Sequence, residues 1–325
     1  LDVTPEQVHE VGLRDVARLD SALRALRVRM GVAAVADSFH AALRRDARFR
    51  AVTPDGVVDQ MLLAQGSLPS SVDSGSASLG FFPVVVAADE SGTARDAIFG
   101  WYRQPSGIDS VALYVPGSAV TAPGLPILIT PLSYFALSPG RHDLLGQRLK
   151  SSLAVARWYA NVPAFADGWG LYAIDLAGER GALSDPLVAY GALMLEMIAA
   201  VRLTVDSGIH YFGWTAAQSA QFIRQYTMFD EAGAADEITR MAHDAPGLGL
   251  AAAMGVREIR GVRRWMEREL KKDFDERRFN NELHSLGPMP LRALGPHFEW
   301  WLWKERTRIR EAARVTQAQP KSGAR

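Results

Sequence analysis

Cysteine is absent from all 325 residues, which removes disulfides, thiolate metal sites and cysteine nucleophiles together. Net charge is absent too: 36 Lys and Arg face 36 Asp and Glu, so a strongly basic polyanion binder is excluded and no nucleic-acid partner is expected. The longest apolar stretch, around Leu187 to Leu203, is interrupted by Glu196 and Arg202. It falls short of the roughly 18 to 20 uninterrupted residues that read as a membrane span. Walker loops, Gly-x-Gly-x-x-Gly after a strand, His-Glu-x-x-His and Gly-x-Ser-x-Gly are all missing, so the common phosphate, dinucleotide, zinc-protease and serine-hydrolase signatures give no support. With 48% hydrophobic and 22% charged residues, the chain has material for a large folded core. Cytosol and periplasm both stay open.

The chain starts at Leu1, without methionine, and enters a helix almost at once; an upstream segment is therefore expected. Thr4-Pro5-Glu6-Gln7 supplies an N-cap, a proline at the first helical position and a glutamine to close a capping box. Val8, Val11, Val16, Leu19, Leu23, Leu26 and Met30 follow at helical spacing, and shorter helices are predicted over Val35 to Arg45 and Pro54 to Gln65. Residues 1–65 thus read as helical, and 66–80, rich in Ser, Gly and Pro, as a surface loop. Within 81–116, the β-branched and aromatic runs Phe81 to Ala87, Ala97 to Arg103 and Val111 to Val115 predict a small antiparallel meander, because neither connection between neighbours has room for a parallel crossover.

Residues 126–305 return to helix, with a second Thr–Gln capping box at Thr215 and Gln218 and a breaker at Ala245-Pro246-Gly247. Arg257 to Arg278 mixes both charge signs and reads as a solvated face, and 306–325 as a frayed tail. All of this is one domain. Of seven histidines, His9, His40, His243, His284 and His297 read as surface residues. His142 and His210 stand out. Arg202, Asp206 and His210, four apart, make a polar stripe on an apolar helix, for which an internal Arg202–Asp206 ion pair is the ordinary solution.

Three segments carry a resemblance: Phe135-Ala136-Leu137-Ser138-Pro139-Gly140-Arg141-His142, then Asp167-Gly168-Trp169-Gly170-Leu171-Tyr172-Ala173-Ile174, then Val205 to His210. Phe212-Gly213-Trp214, Pro246-Gly247 and Gly287 to Leu291 add to it. Together, from about Thr4 to Trp303, they resemble the bacterial metallopeptidase-like family catalogued as domain of unknown function 885. Its members show His-Glu-x-x-Pro-Gly-His-His, Glu-Gly-Trp-x-Leu-Tyr-x-Glu and a Val-Asp-Thr-Gly-Ile-His helix. The resemblance implies a mainly α, helical metallopeptidase-like body with the small antiparallel sheet at a cleft edge. Helices from Pro139 to Trp158 and Pro163 to Ala177 would line the floor. It also implies zinc in members whose motif is intact.

Here the positions of the zinc-binding histidine and the general-base glutamate are Phe135 and Ala136, Arg141 replaces a histidine, Asp167 shortens a glutamate and Ile174 replaces another. Ala252 and Ala253 stand where a Tyr-Lys pair is usual. Zinc is therefore expected to be lost, since the remaining donors His142, Asp167 and Glu196 would have to converge to make even three ligands. The expectation is a non-hydrolytic pseudoenzyme that binds a peptide-like ligand or a partner protein, held along the sheet edge by strand addition. Two alternatives stay open. One is a repurposed metal-independent enzyme using Arg141, His142, Asp167 and His210 on a small amide or carboxylate substrate; the other is an inactive fragment of a longer family member.

Overall fold

The computed structural model describes residues 3–32, 35–45, 53–66, 84–89, 101–103, 111–116, 125–141, 144, 162–287 and 289–318. The predicted loop 66–80 lies outside them save for Gly66, as do His142 and most of the expected helix from Pro139 to Trp158. The fold is mainly helical. Helix α1 (Pro5–Arg29) starts at the predicted capping box, both halves of which form. Then come α2 (Ala36–Arg45), α3 (Pro54–Gly66), strands β1 (Val84–Asp89), β2 (Trp101–Arg103) and β3 (Val111–Pro116), and α4 (Leu125–Ala136). The body consists of α5 (Pro163–Glu179), α6 (Pro186–His210), α7 (Ala216–Tyr226), α8 (Glu231–Thr239), α9 (Ala251–Leu270), α10 (Glu276–Leu286) and α11 (Leu294–Ala318).

The three strands form a mixed sheet in the order β1-β3-β2, with β1 parallel to β3 and β2 antiparallel to it. This corrects the antiparallel meander. The short connections forbid parallel pairing only between consecutive strands; β1 and β3 are separated by residues 90–110, enough chain for a crossover. The sheet lies against α3.

Helix α6 organises the body. It packs against α1 on one side, α4 on another and the Leu248–Leu250 turn at its C-terminal end, and 17 of its 25 residues are buried. It is long and apolar enough to cross a membrane by length and composition, contrary to the reading of Glu196 and Arg202 as interruptions. Both charges stay inside the helix because both are paired. Arg202 meets Glu237 through two 2.7 Å bonds, and Arg240 bonds the same carboxylate at 3.0 Å. The expected Arg202–Asp206 pair is therefore corrected. Asp206 instead accepts from the backbone N–H groups of Gly247 (3.1 Å) and Gly249 (2.9 Å), tying the breaker turn to α6. A carboxylate so placed satisfies donors that a turn would otherwise leave unbonded in the interior.

Three histidines expected at the surface, His9, His40 and His284, are buried. His9 shares a 2.9 Å hydrogen bond with Ser207, and His40 a 2.8 Å bond with the Tyr190 hydroxyl, which also accepts from Arg27. Each sits on a helix face whose partner comes from more than a hundred residues away. The predicted solvated face of α9 is also only half so: Arg260 and Arg263 turn inward toward α5 and α6. At the C-terminus, α11 runs on to Ala318 rather than stopping near Arg306, with residues 311–315 exposed.

Candidate functional site

Helix α4 ends in a turn held from two sides. Gln65 of α3 donates to the carbonyls of Ser133 and Ser138, both at 3.1 Å, and accepts from the Ser138 amide at 3.2 Å. From α5, the Trp169 indole N–H is shared between the carbonyls of Pro139 (2.9 Å) and Gly140 (3.1 Å). These bonds satisfy carbonyls that a helix end leaves without partners. They also fix Phe135, Ala136 and Arg141 relative to α5.

Phe135 is wholly buried, its ring lying on Gly170: a Cβ there would come within 2.6 Å of two ring carbons. Ala136 is buried beside it. The Arg141 guanidinium lies 5.9 Å from the centre of the Phe135 ring and forms an ion pair with Asp167, Nη1 to Oδ1 2.9 Å. Two of the four residues singled out from sequence thus meet. His210 does not join them: its Nε2 faces the Met241 carbonyl at 3.1 Å and the Asp206 carboxylate at 3.6 Å. Among the described residues no contact links it to Arg141 or Asp167. His142 lies outside the described residues.

The donor set does not fit zinc. A benzyl and a methyl group have no lone pair to offer, and a guanidinium is a cation that cannot ligate. Glu196, the third donor weighed from sequence, is spent elsewhere: it accepts from Arg18 at 2.7 Å and from Arg260 at 2.7 and 3.2 Å. Burial pushes the Glu196 carboxyl up, but the two guanidiniums outweigh it and hold its pKa below the ordinary value. Among the described residues no three His, Asp or Glu side chains gather as a metal site.

Behind the site, the His284 ring stands edge-on to Trp169 with centroids 4.3 Å apart. It is fully buried, neither ring nitrogen has a hydrogen-bond partner, and burial alone pushes its pKa down to about 4. Tyr172, one turn along α5 from Gly168, donates to Asn280 and accepts from Arg263, both at 3.1 Å. Burial raises its pKa, so the hydroxyl stays protonated. Sequence reading missed His284, Gln65 and the Arg260 cluster. Only the last left a local signal, in the spacing of Arg257, Arg260 and Arg264 along one helix face.

Two solved structures share this fold. A protein of Colwellia psychrerythraea, provisionally assigned as a lipoprotein, matches with a TM-score of 0.84 at 24% identity, over 94% of this chain and 53% of its own. A protein of unknown function from Shewanella oneidensis, given the same provisional assignment, matches with a TM-score of 0.75 at 18% identity, over 90% of this chain and 56% of its own. The chain therefore spans about half the length of these solved relatives. At such identities the likeness establishes the fold alone. No curated protein matches. The family model described as bacterial protein of unknown function (DUF885) matches residues 1–297, and the chain belongs to that family.

Proposed function

We propose that this chain is a non-hydrolytic, metallopeptidase-like member of its family that binds a peptide-like ligand or a partner protein without cleaving it. The observation that carries the reading is the Arg141–Asp167 ion pair over the buried Phe135 ring. Where the resemblance calls for a metal ligand and a base, the chain has a hydrocarbon floor and a fixed cation. Hydrolysis of an amide needs a group to deprotonate or polarise water at that place, and neither Phe135 nor Ala136 can do so. A guanidinium suits a different task, since its planar fork matches the carboxylate of a peptide. An extended ligand could add to an outer strand of the sheet through backbone bonds alone.

The repurposed-enzyme reading gains nothing from His210, whose bonds run to Met241 and Asp206.

The test is retention of a random peptide mixture on the immobilised chain, followed by mass spectrometry of what is recovered. The expected result is a subset of peptides retained and recovered intact, with or without added zinc, and weaker retention by R141A. Cleavage products that accumulate over many turnovers would contradict the proposal, and so would the absence of any retained peptide.

A further inference from the structure

A second polar site, lined by neither Arg141 nor Asp167, lies where α1, α6 and α9 meet around a cavity of about 260 Å³. Its apolar wall combines Leu19, Leu171 and Val256 with the small side chains of Ala199 and Ala200 from α6 and Ala253 from α9, and the three methyl groups leave space that larger side chains would fill. Its polar lining is four arginines, Arg18, Arg257, Arg260 and Arg264, against two carboxylates, Asp15 and Glu196.

Not all four arginines are available. Arg260 is fully committed, bonding Asp175 twice at 2.7 Å and Glu196 at 2.7 and 3.2 Å. Arg18 completes the chain by bonding Glu196 at 2.7 Å and Asp15 at 3.2 Å. Every acid on the cavity wall is thereby paired with an arginine of the same wall. Arg257 and Arg264 remain. Both are exposed, and neither has an ion pair or a hydrogen bond among the described residues. Seven residues apart on one helix, they project from the same face about 10 Å apart.

Arg18 and Arg260 share three acids, Asp15, Glu196 and Asp175, so with Arg257 and Arg264 on the rim the cluster carries a local excess of one positive charge. The chain as a whole carries none. Charge of one sign concentrated at a concave, partly enclosed surface focuses the field there and raises the local concentration of the opposite ion. The committed Arg260–Glu196–Arg18 chain would hold the floor rigid beneath the ligand. The volume equals that of roughly eight or nine water molecules, room for a small organic anion with two or more anionic groups.

We infer that this cavity is a binding site for a small polyanion, carboxylate or phosphate, gripped by Arg257 and Arg264. The inference does not rest on the non-hydrolytic reading, because Phe135, Ala136, Arg141 and Asp167 do not line this cavity.

Isothermal titration of the full chain with citrate and with inorganic phosphate, at constant ionic strength, tests it and separates the two anion classes. Saturable binding of at least one of them at a single site is expected, and it should weaken when the titration is repeated at higher ionic strength. It should be at least tenfold weaker in the R257A/R264A double variant and unchanged in R141A. Because Arg257 and Arg264 are exposed and make no ion pair or hydrogen bond among the described residues, the double variant should fold with wild-type stability, which thermal unfolding without ligand checks. Equal binding by the double variant, or no saturable binding of either probe at millimolar concentration, would overturn the assignment.

Discussion

Single side chains decide most of what separates this chain from its own sequence pattern. His284 is the clearest case: its flanking residues read as a helix surface, yet the imidazole ends fully buried against Trp169 without a hydrogen-bond partner. Nothing within a few residues of His284 signals this, because Trp169 arrives from another helix. The consequence is a definite pH dependence. Above pH 6.5 the ring is neutral both folded and unfolded. As pH falls from 6.5, the unfolded chain takes up a proton that the folded site refuses until about pH 4. Stability is therefore lost across that window, by about 3 kcal/mol when complete. Urea denaturation at pH 7.5 and pH 5 should show a loss in the wild type that is markedly smaller in H284L. An equal loss in both would mean the ring titrates normally.

Charged residues follow the same logic. The stripe Arg202, Asp206, His210 was legible as polar residues on a buried helix, but the partners were not, since Glu237 and the Gly247 and Gly249 amides lie 35 to 43 residues downstream. Glu237 serves two buried arginines at once. E237A should thus destabilise the fold by about 3 to 5 kcal/mol, the usual cost of leaving buried charge unpaired. Equilibrium denaturation reads it, and a loss under 1 kcal/mol would show that water replaces the carboxylate.

Among elements, helix beginnings were the most legible features. Both capping boxes form as predicted, Thr4 with Gln7 and Thr215 with Gln218, because a cap is a contact between residues three apart and needs nothing from the rest of the chain. Pairing between elements was the least legible: the sheet turned out mixed because β1 skips its neighbour for β3. Helix α5 lies somewhere between. Its small residues indicated a close crossing, and the partner is α9, where Gly168 meets Gly255 backbone to backbone. A Cβ on Gly255 would stand 1.8 Å from the Ala164 carbonyl oxygen, and one on Gly168 would stand 2.4 Å from the Gly255 carbonyl carbon. No side-chain rotation relieves such a contact, so the helices must separate. G255A should cost at least the 1 to 3 kcal/mol typical of overpacking, seen as a lowered melting temperature. An unchanged melting temperature would mean that the two helices are not in contact.

Across the whole molecule, the proposed reading separates the packing residues of the family resemblance from its chemical ones. Trp169, Gly170 and the Pro139-Gly140 turn do in the structure what their chemistry suits them for, holding α4 against α5. In the proposed reading, the positions of a metal ligand and its base contribute a ring, a methyl group and a paired guanidinium instead. The identities of Phe135, Ala136 and Arg141 are legible in the sequence. The Arg141–Asp167 pair is not, because it depends on how two helices approach. The most direct measurement is zinc titration of the full chain, by equilibrium dialysis at neutral pH after removal of adventitious metal. The account predicts no saturable site tighter than millimolar. One zinc bound per chain at micromolar affinity or better, lost in D167A, would contradict it.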